Sequence, residues 1–143
     1  MIEENNLTYE EYLDVITTIG WKCPSRRLLE KSLQNSETSK YVIDGKTVGI
    51  ARMVTDYGYM ALIADVMVKP EYQGQGIGKK LMNNLLDRAL NTLEEDETMM
   101  IQLLAASGKK NFYEKFGFKD KPEAVEAGMY MWLKKDKVKK RTL

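Results

Sequence analysis

The residues best suited to chemistry form a glycine-rich stretch, residues 73–78, with the sequence Gln-Gly-Gln-Gly-Ile-Gly. Glycines leave backbone N–H groups uncovered by side chains. From Ile77 to Leu90, apolar residues recur at the spacing of an amphipathic helix, so the glycines stand where a helix begins. The helix dipole adds partial positive charge to the exposed N–H groups. Together these features predict a phosphate-binding loop.

The spacing of the glycines excludes two common phosphate-binding motifs. A Walker loop requires one more residue between Gly74 and Gly78, and Lys80 stands where that motif needs serine or threonine. A dinucleotide-binding fingerprint requires glycine at the position that Lys79 holds. An ordinary strand-to-helix turn without a ligand is the alternative that the glycines alone leave open.

A third pattern does fit, Gln/Arg-x-x-Gly-x-Gly/Ala preceded by Val-x-Val-x-Pro. It is formed by Gln73, Gly76 and Gly78 together with Val66, Val68 and Pro70. This pattern resembles the acetyl-CoA loop of the GCN5-related N-acetyltransferase (GNAT) superfamily. The resemblance implies acetyl-CoA as co-substrate. It also implies a set of coenzyme-binding residues around the loop: Val66, Met67, Val68, Gln73, Gly74, Gln75, Gly76, Ile77, Gly78 and Lys79.

A second segment, residues 112–118, resembles another GNAT signature, in which a tyrosine points at the coenzyme sulfur. Carried over by position, that tyrosine is Tyr113, which we assign a catalytic role, and Phe112 beside it joins the coenzyme-binding set. The alternative for Tyr113 is a packed helical tyrosine with its hydroxyl at the surface. The chain departs from the pattern of many members at Ala106, where they have asparagine, and Asn111 does not occupy that position. The resemblance covers roughly residues 40 to 118.

Acetyl transfer to an amine by direct attack in a ternary complex sets chemical requirements. An alkyl amine with a pKa of about 10.4 must lose a proton, at a cost of about 4.6 kcal/mol at pH 7. A base or a desolvating pocket must therefore help. Asp65, beside a presumed bulge in the strand before the loop, is our candidate catalytic base; the alternative is a buried aspartate that fixes a backbone turn. Glu71 and Asp56 are further candidates for the base, but the family pattern assigns neither of them a position in the site.

The elements before the loop carry clear local signals. Thr8 and Glu11 form a capping box for a first helix that Gly20 ends, and Ser25 can cap a second helix. A short strand could precede them. Asp44-Gly45 between two apolar runs predicts a hairpin, and residues 56–58 predict a further turn before the loop strand.

The elements after the loop complete the predicted sheet. Residues 99–105 read as a buried strand parallel to the loop strand, and the two strands are expected to splay into a cleft. A short helix stopped by Gly117 follows, and Phe118 opens another strand. Residues 128–133 read as a closing strand. The expected fold is α/β (α+β), the GNAT fold, with a mixed central sheet of six to seven strands flanked by about four helices.

Composition limits the classes of function. The chain has 143 residues, which we assign to a single domain over 1–143 with a basic C-terminal tail over residues 134–143. The absence of histidine excludes the usual Ser-His-Asp and Cys-His machinery and histidine-ligated zinc, and we expect no metal. One cysteine suits a reducing cytoplasm, and the acidic N-terminus differs from a signal peptide.

The expected partners follow from the same observations. The tail holds six basic residues and one acidic residue, a net charge of +5, while the remainder carries −4. We interpret the tail as a solvated end of the chain. Nucleic acid binding is the alternative, but the sequence has no stretch of interleaved aromatic and basic residues that would support it. We expect a cytoplasmic protein without membrane contact and an acceptor that is a small-molecule amine, or alternatively a protein amine. Residues 129–133 could pair across a homodimer.

The alternative function is a non-catalytic acyl-CoA-binding sensor or scaffold.

The catalytic assignment of Tyr113 can be tested by its conversion to phenylalanine. Proton transfer from a phenol to a thiolate is uphill by about 2 kcal/mol in water, so Tyr113 would act by a hydrogen bond that strengthens as the thiolate forms. We expect Tyr113→Phe to lower kcat in a thiol-release assay while leaving the acetyl-CoA affinity largely intact. Equal kcat values for the two proteins would remove Tyr113 from the mechanism.

Overall fold

The computed structural model describes residues 1–135. The chain divides into two compact units, Met1–Leu103 and a second unit that begins at Leu104. Most of the predicted basic tail lies outside the described residues, and the single-domain assignment stays a prediction. None of the described helices is both long enough and apolar enough to cross a membrane.

The first unit combines strands and helices around one sheet. Its elements are β1 (Ile2–Glu4), α1 (Tyr9–Ile19), α2 (Arg26–Gln34), β2 (Glu37–Ile43), β3 (Lys46–Thr55), β4 (Met60–Val68), α3 (Ile77–Leu90) and β5 (Met100–Leu103). The strands follow the order β1-β2-β3-β4-β5. Neighbours are antiparallel except for β4 and β5, which are parallel. The second unit contains α4 (Lys110–Glu114).

Local sequence signals set the ends of these elements as predicted. The Thr8 hydroxyl accepts a hydrogen bond from the Glu11 N–H, and the Glu11 carboxylate accepts one from the Thr8 N–H. Gly20 ends α1 in the left-handed region, with φ 87°. Asp44 and Gly45 both have positive φ, which gives the hairpin turn whose twist matches the strands it joins. The two helices, the hairpin and the mixed α/β class are thus confirmed.

The sheet is covered by helices on both faces. Helices α1 and α2 pack Tyr12, Val15 and other apolar residues against Ile50 of β3 and Met67 of β4. Helix α3 lies on the opposite face, because its contact on β3 is Gly49, the neighbour of Ile50. The apolar face predicted for α3 is buried through Ile77, Leu81, Met82, Leu85 and Ala89.

The predicted strand count is wrong for the part of the chain that is described, which has five strands in place of six to seven. Phe118 does not open a strand, and residues 128–133 form none. Their large side chains are exposed, Met129 at 89% and Trp132 at 90%. An apolar run becomes a strand only where a neighbouring strand accepts its hydrogen bonds, and no described strand pairs with this one.

Strand β5 also departs from its prediction. It is shorter than residues 99–105, and Met100 is 48% exposed although a buried strand was expected. Strand β5 lies at the edge of the sheet and pairs with β4 only. An edge strand has one paired side, so part of its surface stays in contact with solvent.

Glu11 connects the capping box of α1 to the sheet. Lys40 of β2, whose side chain is only 8% exposed, places its Nζ 2.8 Å from Glu11 Oε1. Thr47 of β3 donates a second hydrogen bond to the same oxygen at 3.1 Å. Burial alone would raise the pKa of Glu11, but the hydrogen bonds from Lys40, Thr8 and Thr47 outweigh it and hold the pKa below its ordinary value of 4.5.

This connection predicts a pH-dependent contribution to stability. Glu11→Gln removes the nearer of the two carboxylates beside the Lys40 ammonium and leaves only Glu3, whose Oε1 lies 3.9 Å away, so we expect the free energy of unfolding at pH 7 to fall by about 1–2 kcal/mol, as measured in urea. A lowered carboxylate pKa stabilises the fold above pH 4.5, and the contribution is lost as pH falls through the folded-state pKa. The difference between wild type and variant should therefore shrink in acid.

The matched control is Glu10→Gln, which removes a carboxylate from the neighbouring position in α1. Glu10 is 64% exposed and pairs with Arg26 at the surface, so its loss should change the free energy of unfolding by less than about 0.5 kcal/mol. Equal effects of the two substitutions at pH 7 would contradict the role given to Glu11.

Candidate functional site

Strand β5 pairs with only the first part of β4. Residues 60–63 of β4 pair with Met100–Leu103, whereas β4 continues to Val68. Within residues 1–135, no strand pairs with β4 on that side beyond Ile63. Strand β4 therefore presents an open edge of unpaired backbone beyond Ile63, while the splay of the two strands and a cleft between them stay predictions.

A bulge in β4 lies directly after the last residue that pairs with β5. Arg52 of β3 stands opposite Asp65, while the next residue, Met53, stands opposite Ile63, so Ala64 is an extra residue in β4. The bulge presumed beside Asp65 is confirmed. Bulges increase the local twist and re-aim the side chains next to them.

Two backbone amides of β4 point to this open edge. The N–H of Lys69 donates to the carbonyl of Val48 on β3 at 2.8 Å. Because backbone groups alternate in direction along a strand, Met67 also faces β3, whereas Val66 and Val68 face the open edge. The Val68 carbonyl accepts a hydrogen bond from the side chain of Gln73 at 2.9 Å, which ties the glycine loop to this edge. Met67 differs from its neighbours in that its side chain is buried in the core.

The glycine loop presents uncovered backbone N–H groups at the start of α3. A short 3₁₀ turn, Pro70–Tyr72, leads into it. Gly74 and Gly76 both have φ 79°, and a Cβ at either position would meet no atom within 4 Å. Gly76 precedes α3 without any side-chain cap, and the first intrahelical bond runs from the Lys80 N–H to the Gly76 carbonyl. The amides of Ile77, Gly78 and Lys79 therefore lack intrahelical acceptors.

The charges around the loop favour an anion. Lys79 is exposed, and the Nζ of Lys80 lies 5.5 Å from the centre of the Tyr41 ring. No acidic residue lies in the first turn of α3. Cations at a helix N-terminus are unfavourable beside the positive end of the dipole, so an anion bound here relieves a repulsion already present in the fold.

Asp65 is held by two donors. Its Oδ2 lies 2.7 Å from the Nε of Arg52, and the two side chains are 15% and 16% exposed. The hydroxyl of Tyr12 on α1 also bonds to Asp65; burial raises the pKa of Tyr12, and the Asp65 charge raises it further. Asp65 thus lies on the α1 face of the sheet, directly beyond the bulge at Ala64.

The other carboxylates proposed from sequence lie in turns. Asp56 accepts hydrogen bonds from the backbone N–H groups of Gly58 and Met60, which shapes the turn before β4. Glu71 is exposed in the 3₁₀ turn. Sequence reasoning did not single out Arg52 or assign Tyr12 a role beyond the apolar face of α1. No local pattern identifies that pair, since the partners of Asp65 come from different elements.

The second unit places Phe112 and Tyr113 on α4, which Gly117 follows with φ 96°. The ring centres of Phe112 and Tyr113 are 5.0 Å apart, and Phe112 stacks edge to face with Phe116 at 5.2 Å. Tyr113 also contacts Phe118 edge to face at 6.2 Å. The predicted short helix is confirmed, with these four aromatic rings in contact.

Comparisons with known proteins agree with this geometry. A family model described as "Acetyltransferase (GNAT) domain" matches residues 36–120. The N-acetyltransferase ycf52 of Pyropia yezoensis is 30% identical over 132 residues, which cover 89% of this chain and 73% of that protein. The chloroplastic GCN5-related N-acetyltransferase 2 of Arabidopsis thaliana is 44% identical over 89 residues, or 62% of this chain, but these cover only 33% of its length.

A solved structure gives the same result for the fold. The Staphylococcus aureus protein SA2161, described as a probable acetyltransferase, superposes with a TM-score of 0.80 at 27% identity. The match covers 93% of this chain and all of that one. The family match over more than half of the chain agrees with the open edge of β4 and the uncapped start of α3. The chain belongs to the GNAT family of acetyltransferases.

Proposed function

We propose that this protein transfers the acetyl group of acetyl-CoA to a primary amine by direct attack in a ternary complex. The GNAT family uses acetyl-CoA. The observation that carries the proposal is the uncapped start of α3 beside the unpaired edge of β4. A diphosphate can accept hydrogen bonds from the first, and the amides of an extended arm can pair with the second. Open space over Gly74 and Gly76 fits a ligand lying directly on the loop backbone.

The proposed position of acetyl-CoA follows from these two features. Its diphosphate accepts hydrogen bonds from the amides at the start of α3, with Lys79 adding charge. The amides of its pantetheine arm pair with Val66 and Val68 as a neighbouring strand would. The acetyl group then lies near the bulge at Ala64, and its carbonyl oxygen meets backbone N–H groups of the Val66–Val68 stretch as charge develops.

The reaction exchanges one bond for another. The amine nitrogen forms a bond to the acetyl carbon, the carbon–sulfur bond breaks, and its electron pair stays on sulfur. The nitrogen loses one proton and the sulfur gains one, so the products are an amide and free thiol. We propose Asp65 as the acceptor of the amine proton, directly or through a water. Asp65 already accepts hydrogen bonds from Arg52 and Tyr12, so desolvation of the amine must supply part of the deprotonation.

Tyr113 is our proposed donor to the departing sulfur. This role rests on the sequence signature around Tyr113, and it answers a chemical need, because a thiolate leaves more readily when a hydrogen bond takes up its charge. The proposed acceptor is a small-molecule amine; a protein amine is the alternative that the screen below includes.

The coenzyme site can be tested with a pair of glycine substitutions. Gly76→Asp puts a carboxylate where the diphosphate would lie, and we expect the Kd for acetyl-CoA in calorimetry to rise by about 100-fold or more. Gly20→Asp is the matched control, since Gly20 has the same left-handed conformation (φ 87°), open space around it and no place in the loop. Both variants should lose some stability, but Gly20→Asp should bind normally. Unchanged affinity in Gly76→Asp would refute the site.

The activity itself calls for a screen of amines with acetyl-CoA and detection of free thiol. We expect turnover with at least one class of primary amine, and the panel should include small alkyl and arylalkyl amines, amino acids and a lysine-containing peptide. Tight acetyl-CoA binding without thiol release on any amine would overturn the enzymatic proposal in favour of a non-catalytic acyl-CoA-binding module.

A further inference from the structure

Arg52 is anchored through one edge of its guanidinium only. Its Nε donates to Asp65 Oδ2 at 2.7 Å, and Asp65 is its one hydrogen-bond or ion-pair partner among residues 1–135. An arginine carries five N–H donors, of which this bond uses one. The N–H groups on the two terminal nitrogens of Arg52 therefore have no partner in the described part of the protein.

These terminal nitrogens are open to solvent. The described residues contain no buried side-chain nitrogen or oxygen that lacks a hydrogen-bond partner. Because the terminal nitrogens of Arg52 have no partner, they cannot be sealed in the interior. The two terminal nitrogens of Arg52 thus form a planar fork, and the bond to Asp65 fixes its orientation. The free edge of this fork has the geometry that binds a carboxylate through two parallel hydrogen bonds.

The fork lies beside the position proposed for the acetyl group. Arg52 stands opposite Asp65, immediately past the bulge where β4 leaves β5. Both side chains lie on the face that Tyr12 of α1 covers, opposite α3 and the glycine loop. An acceptor that enters from the α1 face would therefore meet Arg52 and Asp65 before it reaches the open edge of β4.

Three exposed apolar side chains continue this face. Val54 lies two residues beyond Arg52 and is paired with Leu62 of β4, so the three share a face. Leu62 is paired with Gln102 of β5, which puts Met100 on that face too. Val54, Leu62 and Met100 are 38%, 41% and 48% exposed. They form an apolar strip across three adjacent strands, next to the Arg52–Asp65 pair.

We propose that the acceptor is an amino acid with an apolar side chain. Its carboxylate binds the free fork of Arg52, its amine lies beside Asp65, and its side chain covers the apolar strip. The neighbouring Asp65 charge disfavours a dianion such as a phosphate ester and selects a monoanion. This inference rests on the proposed acetyl transfer and narrows its acceptor; the reaction forms an N-acetyl amino acid and free coenzyme A thiol.

The test compares acceptors that differ only in a carboxylate. L-phenylalanine and phenethylamine form one pair, and L-leucine and 3-methylbutylamine form another. We expect the intact protein to show a kcat/KM at least about 10-fold higher for the amino acid of each pair, because a bidentate charge-assisted bond is gained. Equal values, or a preference for the plain amines, would overturn the inference while leaving acetyl transfer intact.

A conservative variant then tests Arg52 itself. Arg52→Lys keeps the charge beside Asp65 but cannot offer the fork, so the ratio of kcat/KM for L-phenylalanine to kcat/KM for phenethylamine should fall about 10-fold. Arg26→Lys is the control, since Arg26 lies in an exposed ion pair on α2. Acetyl-CoA affinity and the urea midpoint of each variant report whether the fold survives.

The outcomes separate the two proposals. An unchanged amino acid preference in a folded Arg52→Lys variant would remove Arg52 as the determinant. Should Arg52→Lys fail to fold, the comparison of acceptor pairs in the intact protein decides the acceptor class on its own. Failure to bind acetyl-CoA, or binding without thiol release from any amine, would overturn the proposed function and this inference with it.

Discussion

The position of α3 depends on one close contact with Gly49 of β3. A Cβ at that position would lie 3.0 Å from a side-chain carbon of Ile77 and 3.1 Å from one of Leu81. Any larger residue would therefore force the side chains of Ile77 and Leu81 on α3 to shift by a few tenths of an ångström. Because Gly76 directly precedes α3, a shift of the helix itself would also move the loop amides relative to the end of β4. The proposed diphosphate site thus relies on a packing contact that carries no chemistry of its own.

The sheet divides the proposed reaction between its two faces. The glycine loop and α3 lie on one face, and the Arg52–Asp65 pair lies on the other, beneath α1. Within residues 1–135, β4 has no strand partner on its outer side beyond Ile63, so this edge of the strand borders both faces. The bulge at Ala64 falls at this point, so a single irregularity in β4 allows two ligands from opposite faces to meet.

Features that depend on contacts within a few residues could be predicted from the sequence, among them the capping box of α1, the hairpin turn and the glycine loop. The partnership of Arg52 and Asp65 could not, because the bulge at Ala64 decides which residues face each other across the two strands. The strand predicted over residues 128–133 failed for a related reason. Its apolar composition favours β-conformation, but no sequence pattern identifies a neighbouring edge to accept its hydrogen bonds.

The two lysines at the entrance of α3 couple ligand occupancy to the survival of the fold. Lys79 and Lys80 belong to the first turn of α3, which brings two positive charges to the end of the helix where the dipole is positive. An anion that binds only the native state offsets these charges and adds a stabilisation that grows with the logarithm of its concentration. If the proposed diphosphate site binds acetyl-CoA, the free energy of unfolding therefore rises with the acetyl-CoA concentration, and exposure of the unfolded chain to proteases falls.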